Sequence, residues 1–269
     1  GPGNVNTSMA SGSYGWQTLI HEIGHTMGLK HPGNYNASGG NMPGPFLPKA
    51  LDNRAYTLMS YNNPAGSMEV SKTTSNNISY TYSASTINSS TYMMYDIAAL
   101  QFLYGKGTGA DLDAYQVNTF TADWSGMQTL WMPQDGTIDA SAVEASNIID
   151  LRQGAFSSIN VIPKSITDSF PSSLQSAATY MGLNNVGLAF GSQVTTAKGG
   201  TAVDVFYAAL DNDVTIDGGA GDDTVYLAGV EDDWRFDAQT NTYENINANL
   251  ALAQRVKITV NNVEAIKYY

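Results

Sequence analysis

The sequence predicts two parts of different class: an α+β part over residues 1–105 and an all-β part, a parallel β-roll or β-sandwich, over residues 106–269. Three observations predict this. Helical periodicity is confined to two stretches, about 14–29 and about 92–104. After Gly105, short β-favouring runs alternate with turn residues, apart from short helical pieces expected near 165–181. A glycine–aspartate pattern starts at Gly199 and again at Gly218, as in repeat architectures.

Residues 1–12 are rich in Gly, Asn and Ser and read as loop. Ser13 is a suitable N-cap for the first helix, which runs from Tyr14 to Leu29 with Trp16, Leu19, Ile23 and Met27 near one apolar stripe. That helix carries His21-Glu22-Ile23-Gly24-His25-Thr26-Met27-Gly28-Leu29-Lys30-His31, an unbroken His-Glu-x-x-His-x-x-Gly-x-x-His string. His21 and His25 lie four apart, so both imidazoles leave one helix face and can share a metal ion. Glu22, beside the first ligand, can take a proton from an attacking water without ligating the metal. Gly28 tolerates positive φ, which lets the chain leave the helix and bring His31 round as a third ligand. Three protein ligands with an open fourth position are the catalytic arrangement of zinc. The chain has three histidines, and all of them lie in this string, so stray histidines on a surface helix are a poor explanation.

Residues 31–55 hold four of the nine prolines and read as a long loop passing along the cleft beside the metal. Residues 67–90 read as exposed loop or weak hairpin. The second helix runs from about Tyr92 to Tyr104 and is closed by Gly105. In the second part, Gly218-Gly219-Ala220-Gly221-Asp222-Asp223-Thr224-Val225-Tyr226 fits the calcium-binding nonapeptide Gly-Gly-x-Gly-x-Asp-x-(apolar)-x. Its glycines permit tight turns that expose carbonyl oxygens, and its aspartate adds a hard anionic oxygen. Gly199 and Gly200 open a copy that ends on Asp204, and Asp213-Val214-Thr215-Ile216 is a degenerate half-copy between them. Asp204, Asp213 and Asp223 are the expected calcium carboxylates, with Gly199, Gly200, Gly218, Gly219 and Gly221.

Composition limits the partners. Lys+Arg is 12 and Asp+Glu is 24, a net charge of −12, which argues against nucleic acid. Cysteine is absent, so neither disulfides nor thiolate ligands are available. No apolar run is long enough for a membrane span, and no signal peptide is visible. The low charged fraction of 13% and the abundance of Asn, Ser, Thr, Gly and Tyr fit a secreted, β-rich protein.

Together these motifs resemble the serralysin family of metzincin proteases. Pro32 follows the third histidine as in serralysins. Leu58-Met59-Ser60-Tyr61 looks like the Met-turn, and Asp96-Ile97-Ala98-Ala99-Leu100-Gln101-Phe102-Leu103-Tyr104-Gly105 is similar to the closing helix of the catalytic domain. The main role expected of that helix is core packing. The likeness spans about Gly15 to Val230.

The resemblance implies a metzincin-type catalytic subdomain followed by the calcium roll. Its function would be that of a secreted, extracellular zinc-dependent endopeptidase with Zn2+ and Ca2+ as cofactors. It places Met59 beneath the metal. Tyr61 becomes an extra, swinging metal ligand and a donor to the oxyanion. Expected partners are protein or peptide substrates, an N-terminal subdomain and a proteinaceous inhibitor. Serralysins carry that subdomain ahead of the zinc helix, so residues 1–105 read as the C-terminal portion of such a catalytic domain. Asp111 stands where the family often binds calcium, and the turn at 133–137 has a shifted carboxylate register. The last residues lack an evident acidic–hydrophobic export tail. The alternative reading is a calcium-dependent binding or secretion module with a vestigial zinc helix. The complete set of His21, Glu22, His25, His31 and Tyr61 argues against decay.

Overall fold

Ser13 is extended, and its side chain accepts a hydrogen bond from the Trp16 amide at 3.1 Å, which starts α1 (Tyr14–Thr26). The computed structural model describes residues 8–36, 39–75, 79–107, 116–251 and 255–269; Asp111 and the first seven residues of the expected N-terminal loop lie outside them. α1 stops where the sequence supplies a left-handed residue. Gly28 has φ +89°, its amide donates to His25, and the Leu29 amide reaches back to Gly24. The helix is therefore three residues shorter at its end than its periodicity predicts.

The buried face of α1 also differs from the predicted stripe. Leu19 and Ile23 are exposed, whereas Gln17, Ile20, His21 and Gly24 are buried. The physical reason is that this face must receive the main chain around Leu58 and Met59, which needs a small residue and polar partners rather than a continuous apolar row. The Gln17 side-chain oxygen accepts from the Ser89 amide at 2.9 Å, and the Tyr92 hydroxyl donates to the Ile20 carbonyl at 2.7 Å. These tie the helix to the chain ahead of α2 (Met94–Tyr104), which Gly105 closes at φ +84°.

The chain divides into two compact units. The first comprises residues 1–106, 126–129 and 162–185. Its core gathers Ile20, Leu58, Ile87, Met93, Met127 and Tyr180. The stretch predicted as loop or weak hairpin is an antiparallel hairpin of Met68–Ser75 with Ser79–Thr86. The helical pieces expected near 165–181 are Lys164–Thr167 and Ser172–Leu174.

The second unit comprises residues 107–125, 130–161 and 186–269. Most of its strands fall into two sheets, and Phe156–Ser157 pairs with Val186–Leu188 in a third. One places Val117–Thr119, Gly136–Asp139, Val194–Lys198, Val214–Asp217 and Lys257–Asn261 side by side, all parallel. An antiparallel hairpin of Trp234–Asp237 and Thr242–Asn245 extends that sheet beyond Lys257–Asn261. The other sheet aligns Ile148–Asp150, Val205–Tyr207, Thr224–Leu227 and Ala265–Tyr268, again in parallel.

From Val194 to Leu227 successive strands alternate between the two sheets, so the chain coils, and after the hairpin the alternation resumes with Lys257–Asn261 and Ala265–Tyr268. Side chains alternate with it: in Val214–Asp217, Val214 and Ile216 are buried and Thr215 is exposed. Ile138, Ala197 and Ile216 stand in register on one sheet, and Ile149, Phe206 and Val225 on the other, all fully buried. Burying each large member of these rows contributes about 1.5–3 kcal/mol. With its few helices and many strands, the protein is α+β.

Gly24 is the tightest joint in α1. A Cβ there would lie 2.8 Å from the Met59 sulfur and 3.3 Å from the Tyr92 ring. Gly24→Ala should therefore destabilise the first unit by about 1–3 kcal/mol, despite alanine's better helix propensity. Urea unfolding followed by tryptophan fluorescence would show this, and a stabilised variant would refute the contact.

Candidate active site

The helix, the turn after it and the loop beyond bring His21, His25 and His31 to one point. His25 Nε2 and His31 Nε2 are 3.1 Å apart, and His31 Nε2 and His21 Nε2 are 3.3 Å apart. The other nitrogen of each ring faces a main-chain carbonyl at 3.0 Å: Leu58 for His21, Leu29 for His25 and Tyr35 for His31. A carbonyl can only accept, so each Nδ1 carries the proton and each Nε2 presents a lone pair. Burial lowers the pKa of His21 and of His31 below the ordinary histidine value, which also favours the neutral rings. Three lone pairs this close repel unless a cation lies between them. The triad can hold a metal ion, and neutral imidazole is the form that ligates one.

The second layer explains how the carbonyls are fixed. Asp96, near the start of α2, is buried. Its carboxylate accepts from the Leu58 amide at 2.6 Å, the Thr57 hydroxyl at 2.6 Å and the Met93 amide at 3.0 Å. It thus grips the turn whose Leu58 carbonyl orients His21. Met59 is fully buried in the same turn, with its sulfur against Gly24 between the two helical histidines. The sequence assigned the helix of Asp96 to packing; its signal for more was a lone acid three residues into a helix, beside the turn of Leu58 and Met59 in space and not in sequence.

A second network lies behind Tyr61. The Tyr35 hydroxyl donates to Asp52 at 2.5 Å, the Ser60 hydroxyl donates to the same oxygen at 2.7 Å, and the Tyr61 amide donates to the Tyr35 oxygen at 3.4 Å. The Tyr61 ring stacks on Tyr35 at 5.0 Å and lies 4.5 Å from the His31 ring, between centroids. Tyr35 is thus tied to one ligand through its carbonyl and to Tyr61 through its ring. Sequence reading missed it because its contacts cross a loop without periodicity.

Glu22, His25, His31, Asn36, Met42 and Tyr61 line a cleft of about 400 Å3. Glu22 and Tyr61 are exposed in it. A neighbouring cavity of about 430 Å3 shares Leu29, Lys30 and His31 and is also walled by Phe46, Leu47, Met59 and Ala99. It suits an apolar group. A wider groove of about 840 Å3 lies in the second unit among Asp213, Arg235, Lys257 and Thr259, with no histidine nearby.

In the second unit, the structure brings Asp204 and Asp223 together with the glycines of their turns. The Asp204 amide donates to Asp223 Oδ1 at 2.7 Å, and Asp204 in turn accepts from the Asn147 amide at 2.6 Å and the Gly200 amide at 2.6 Å. Cβ atoms on Gly199, Gly200, Gly218, Gly219 or Gly221 would strike main-chain oxygens, so these positions need glycine to let successive turns stack. Asp213 is not brought to them. It is exposed and accepts from the Lys257 amide at 2.8 Å. The reason is the alternation of strands: half a coil separates Asp213 from Asp204, so its turn joins the sheets at their other edge. Burial raises the pKa of both Asp204 and Asp223, the latter to about 6.

No family model matches the chain. Curated proteins do. It is 36% identical over 176 residues to a serralysin of Proteus mirabilis, covering 60% of this chain and 33% of that protein. It is 34% identical over 167 residues to the metalloprotease AprA of Pseudomonas entomophila, covering 58% and 33%. A serralysin of Photorhabdus laumondii is 31% identical over 216 residues, covering 75% and 38%. The chain thus spans about a third of the length of the relatives it matches.

Burial pushes the Asp96 carboxyl up to about 6, against hydrogen bonds from Thr57, Leu58 and Met93 that favour its charged form. A carboxyl that holds its proton more tightly when folded contributes most to stability below its ordinary value of 3.8, and that contribution is lost as pH rises through about 6. Asp96→Asn should flatten this part of the pH dependence of unfolding. Asp96→Ala, which leaves two buried amides without an acceptor, should cost about 3 kcal/mol and weaken metal binding on the order of 10-fold. Denaturant titrations across pH and chelator competition would measure these, and unchanged metal affinity in Asp96→Ala would remove Asp96 from the support of the site.

Proposed function

Since the chain is serralysin-like, we propose that it acts as a zinc-dependent endopeptidase outside the cell, with calcium holding its parallel coil. The observation that carries this reading is the convergence of three Nε2 lone pairs whose Nδ1 protons are all committed to carbonyls. Three neutral imidazoles suit zinc, which when bound supplies a Lewis acid that polarises the attacking water and the scissile carbonyl. His21, His25 and His31 hold it. The Glu22 carboxylate takes the proton from the water and delivers it to the leaving amine. The Tyr61 hydroxyl donates to the oxyanion that develops on the peptide carbonyl, and Tyr35 keeps the Tyr61 ring at the cleft. The same tyrosine can approach the ligand set as an additional, displaceable ligand.

The substrate is an extended segment of protein or peptide lying along the cleft between Glu22 and Tyr61. The cavity beside His31 takes a large apolar side chain of that segment, since Pro32, Phe46, Leu47, Met59, Ala99 and Leu103 make up much of its wall. A proteinaceous inhibitor would have to fill the same cleft. Calcium belongs at the turns of Asp204 and Asp223, whose buried carboxylates and crowded carbonyl oxygens suit a hard cation. Secretion fits this need, because repeat turns of modest affinity fill where calcium is plentiful. No helix among the described residues is long and apolar enough to cross a membrane. The alternative of a binding module with a vestigial zinc helix is not favoured, because Glu22, His25, His31 and Tyr61 line one cleft and His21 meets His31.

Glu22→Gln should retain one zinc per chain by elemental analysis and lose about 100-fold or more in casein cleavage. Chelator should abolish wild-type cleavage and added zinc should restore it. Turnover by zinc-loaded Glu22→Gln equal to wild type would refute the role of Glu22. Absence of any chelator-sensitive cleavage by the native, full-length protein would favour the binding module.

A further inference from the structure

The column of carboxylates in the coil does not end at Asp223. The Asp204 amide donates to Asp223, and in the same manner the Asp223 amide donates to Glu264 Oε2 at 2.7 Å. Strand register makes this a true third step. Asp217 pairs with Asn261 and Thr224 pairs with Ala265, so residues 218–223 in one turn face only residues 262–264 in the next. The later turn is shorter by three residues, and its acid is longer by one methylene. Asn262 supplies the left-handed conformation at φ +48°, where the preceding turn has Gly219 at φ +91°.

The surroundings of the glycines repeat as well. A Cβ on Gly199 would overlap the Gly218 carbonyl oxygen and Asp204 Oδ2, and a Cβ on Gly218 would overlap the Asn262 carbonyl oxygen and Asp223 Oδ2. One difference separates the two steps. Asp204 Oδ2 accepts from the Gly200 amide at 2.6 Å. Asp223 Oδ2 is buried in a fully buried residue and has no hydrogen-bond partner, because the Gly219 amide turns to Asp217 Oδ1 instead. None of the ion pairs among the described residues involves Asp204, Asp223 or Glu264. A buried carboxylate oxygen with neither donor nor counter-charge is strongly disfavoured.

We infer that the short turn 261–264 completes a divalent-cation site, with Asp223 Oδ2, the Asn262 carbonyl and the Glu264 carboxylate as its oxygen donors. The donor set is all oxygen and carries two negative charges, which selects a hard cation of the calcium class. The site fastens the strand Ala265–Tyr268 to the coil after the interruption made by the hairpin 234–245. It lies outside the nonapeptide pattern, and it rests on the calcium part of the reading above only for the identity of the ion.

The test is calcium titration of the full, zinc-loaded chain by calorimetry, with hydrogen exchange of residues 265–268 followed by mass spectrometry. Glu264→Gln keeps an acceptor for the Asp223 amide and removes the charge. It should bind one calcium fewer per chain and need at least ~10-fold more calcium to protect 265–268. Glu264→Ala should do the same. Wild-type stoichiometry and protection in Glu264→Gln, with loss only in Glu264→Ala, would show that Glu264 is a hydrogen-bond acceptor alone and would overturn the site. Zinc content and casein cleavage, measured on the same samples, report the fate of the protease reading separately.

Discussion

The histidine triad of this protein depends on one constraint: each histidine must donate its Nδ1–H to a main-chain carbonyl so that its Nε2 can face the others. The three carbonyls come from different places, the turn after α1 at Leu29, the loop at Tyr35 and the turn at Leu58. Much of the local structure can be read as the means of placing them. Gly28 reverses the chain so that Leu29 returns beneath His25 and His31 can follow. Gly24 opens the space that admits the turn of Leu58 and Met59. Asp96 pins that turn by its amide, which leaves the adjacent carbonyl aimed at His21. Rotating any one imidazole would break a hydrogen bond in a buried setting, so the lone pairs stay aligned without a metal to hold them.

This constraint also explains what was legible in the sequence. His21, Glu22, His25 and His31 were legible because helix geometry turns a spacing of four into a shared face, and glycine turns a helix end into a return. The carbonyls were not, because a main-chain acceptor has no residue type to betray it. The apolar stripe was misplaced for a related reason. The buried face of α1 holds a glutamine, a histidine and a glycine, each satisfied by a partner far along the chain, and such a face has no apolar period. Tyr35, Asp52 and Asp96 act through contacts made across loops, so neither period nor spacing marks them.

In the coil, legibility followed the repeat. Asp204 and Asp223 lie nineteen residues apart and meet, because one whole turn of the coil separates them. Asp213 has similar local sequence, yet half a turn sends it to the other edge. Glu264 was hidden because the chain that carries the hairpin 234–245 sets it 41 positions beyond Asp223 and erases the period. Register recovers what period loses: pairing of Thr224 with Ala265 sets Glu264 opposite Asp223 whatever lies between them in sequence. In a parallel coil, strand pairing is therefore a better guide to equivalent positions than spacing is.

The two kinds of site differ in what they require before an ion arrives. Each histidine Nδ1 already faces a carbonyl, and the same unit has an apolar core that includes Ile20, Leu58 and Met93. Such a site is preformed, and binding adds a ligand to an existing fold. In the coil the pKa of Asp204 and Asp223 is raised by burial, and Asp223 has an oxygen with no donor, so the ionised turns are costly alone. An ion bound there, as proposed, would supply free energy that offsets this cost, and its binding would be coupled to the docking of the strands that follow. The net charge of −12 belongs to the same logic. Acidic groups gathered along a coil repel one another, and a cation bound among them would relieve that repulsion.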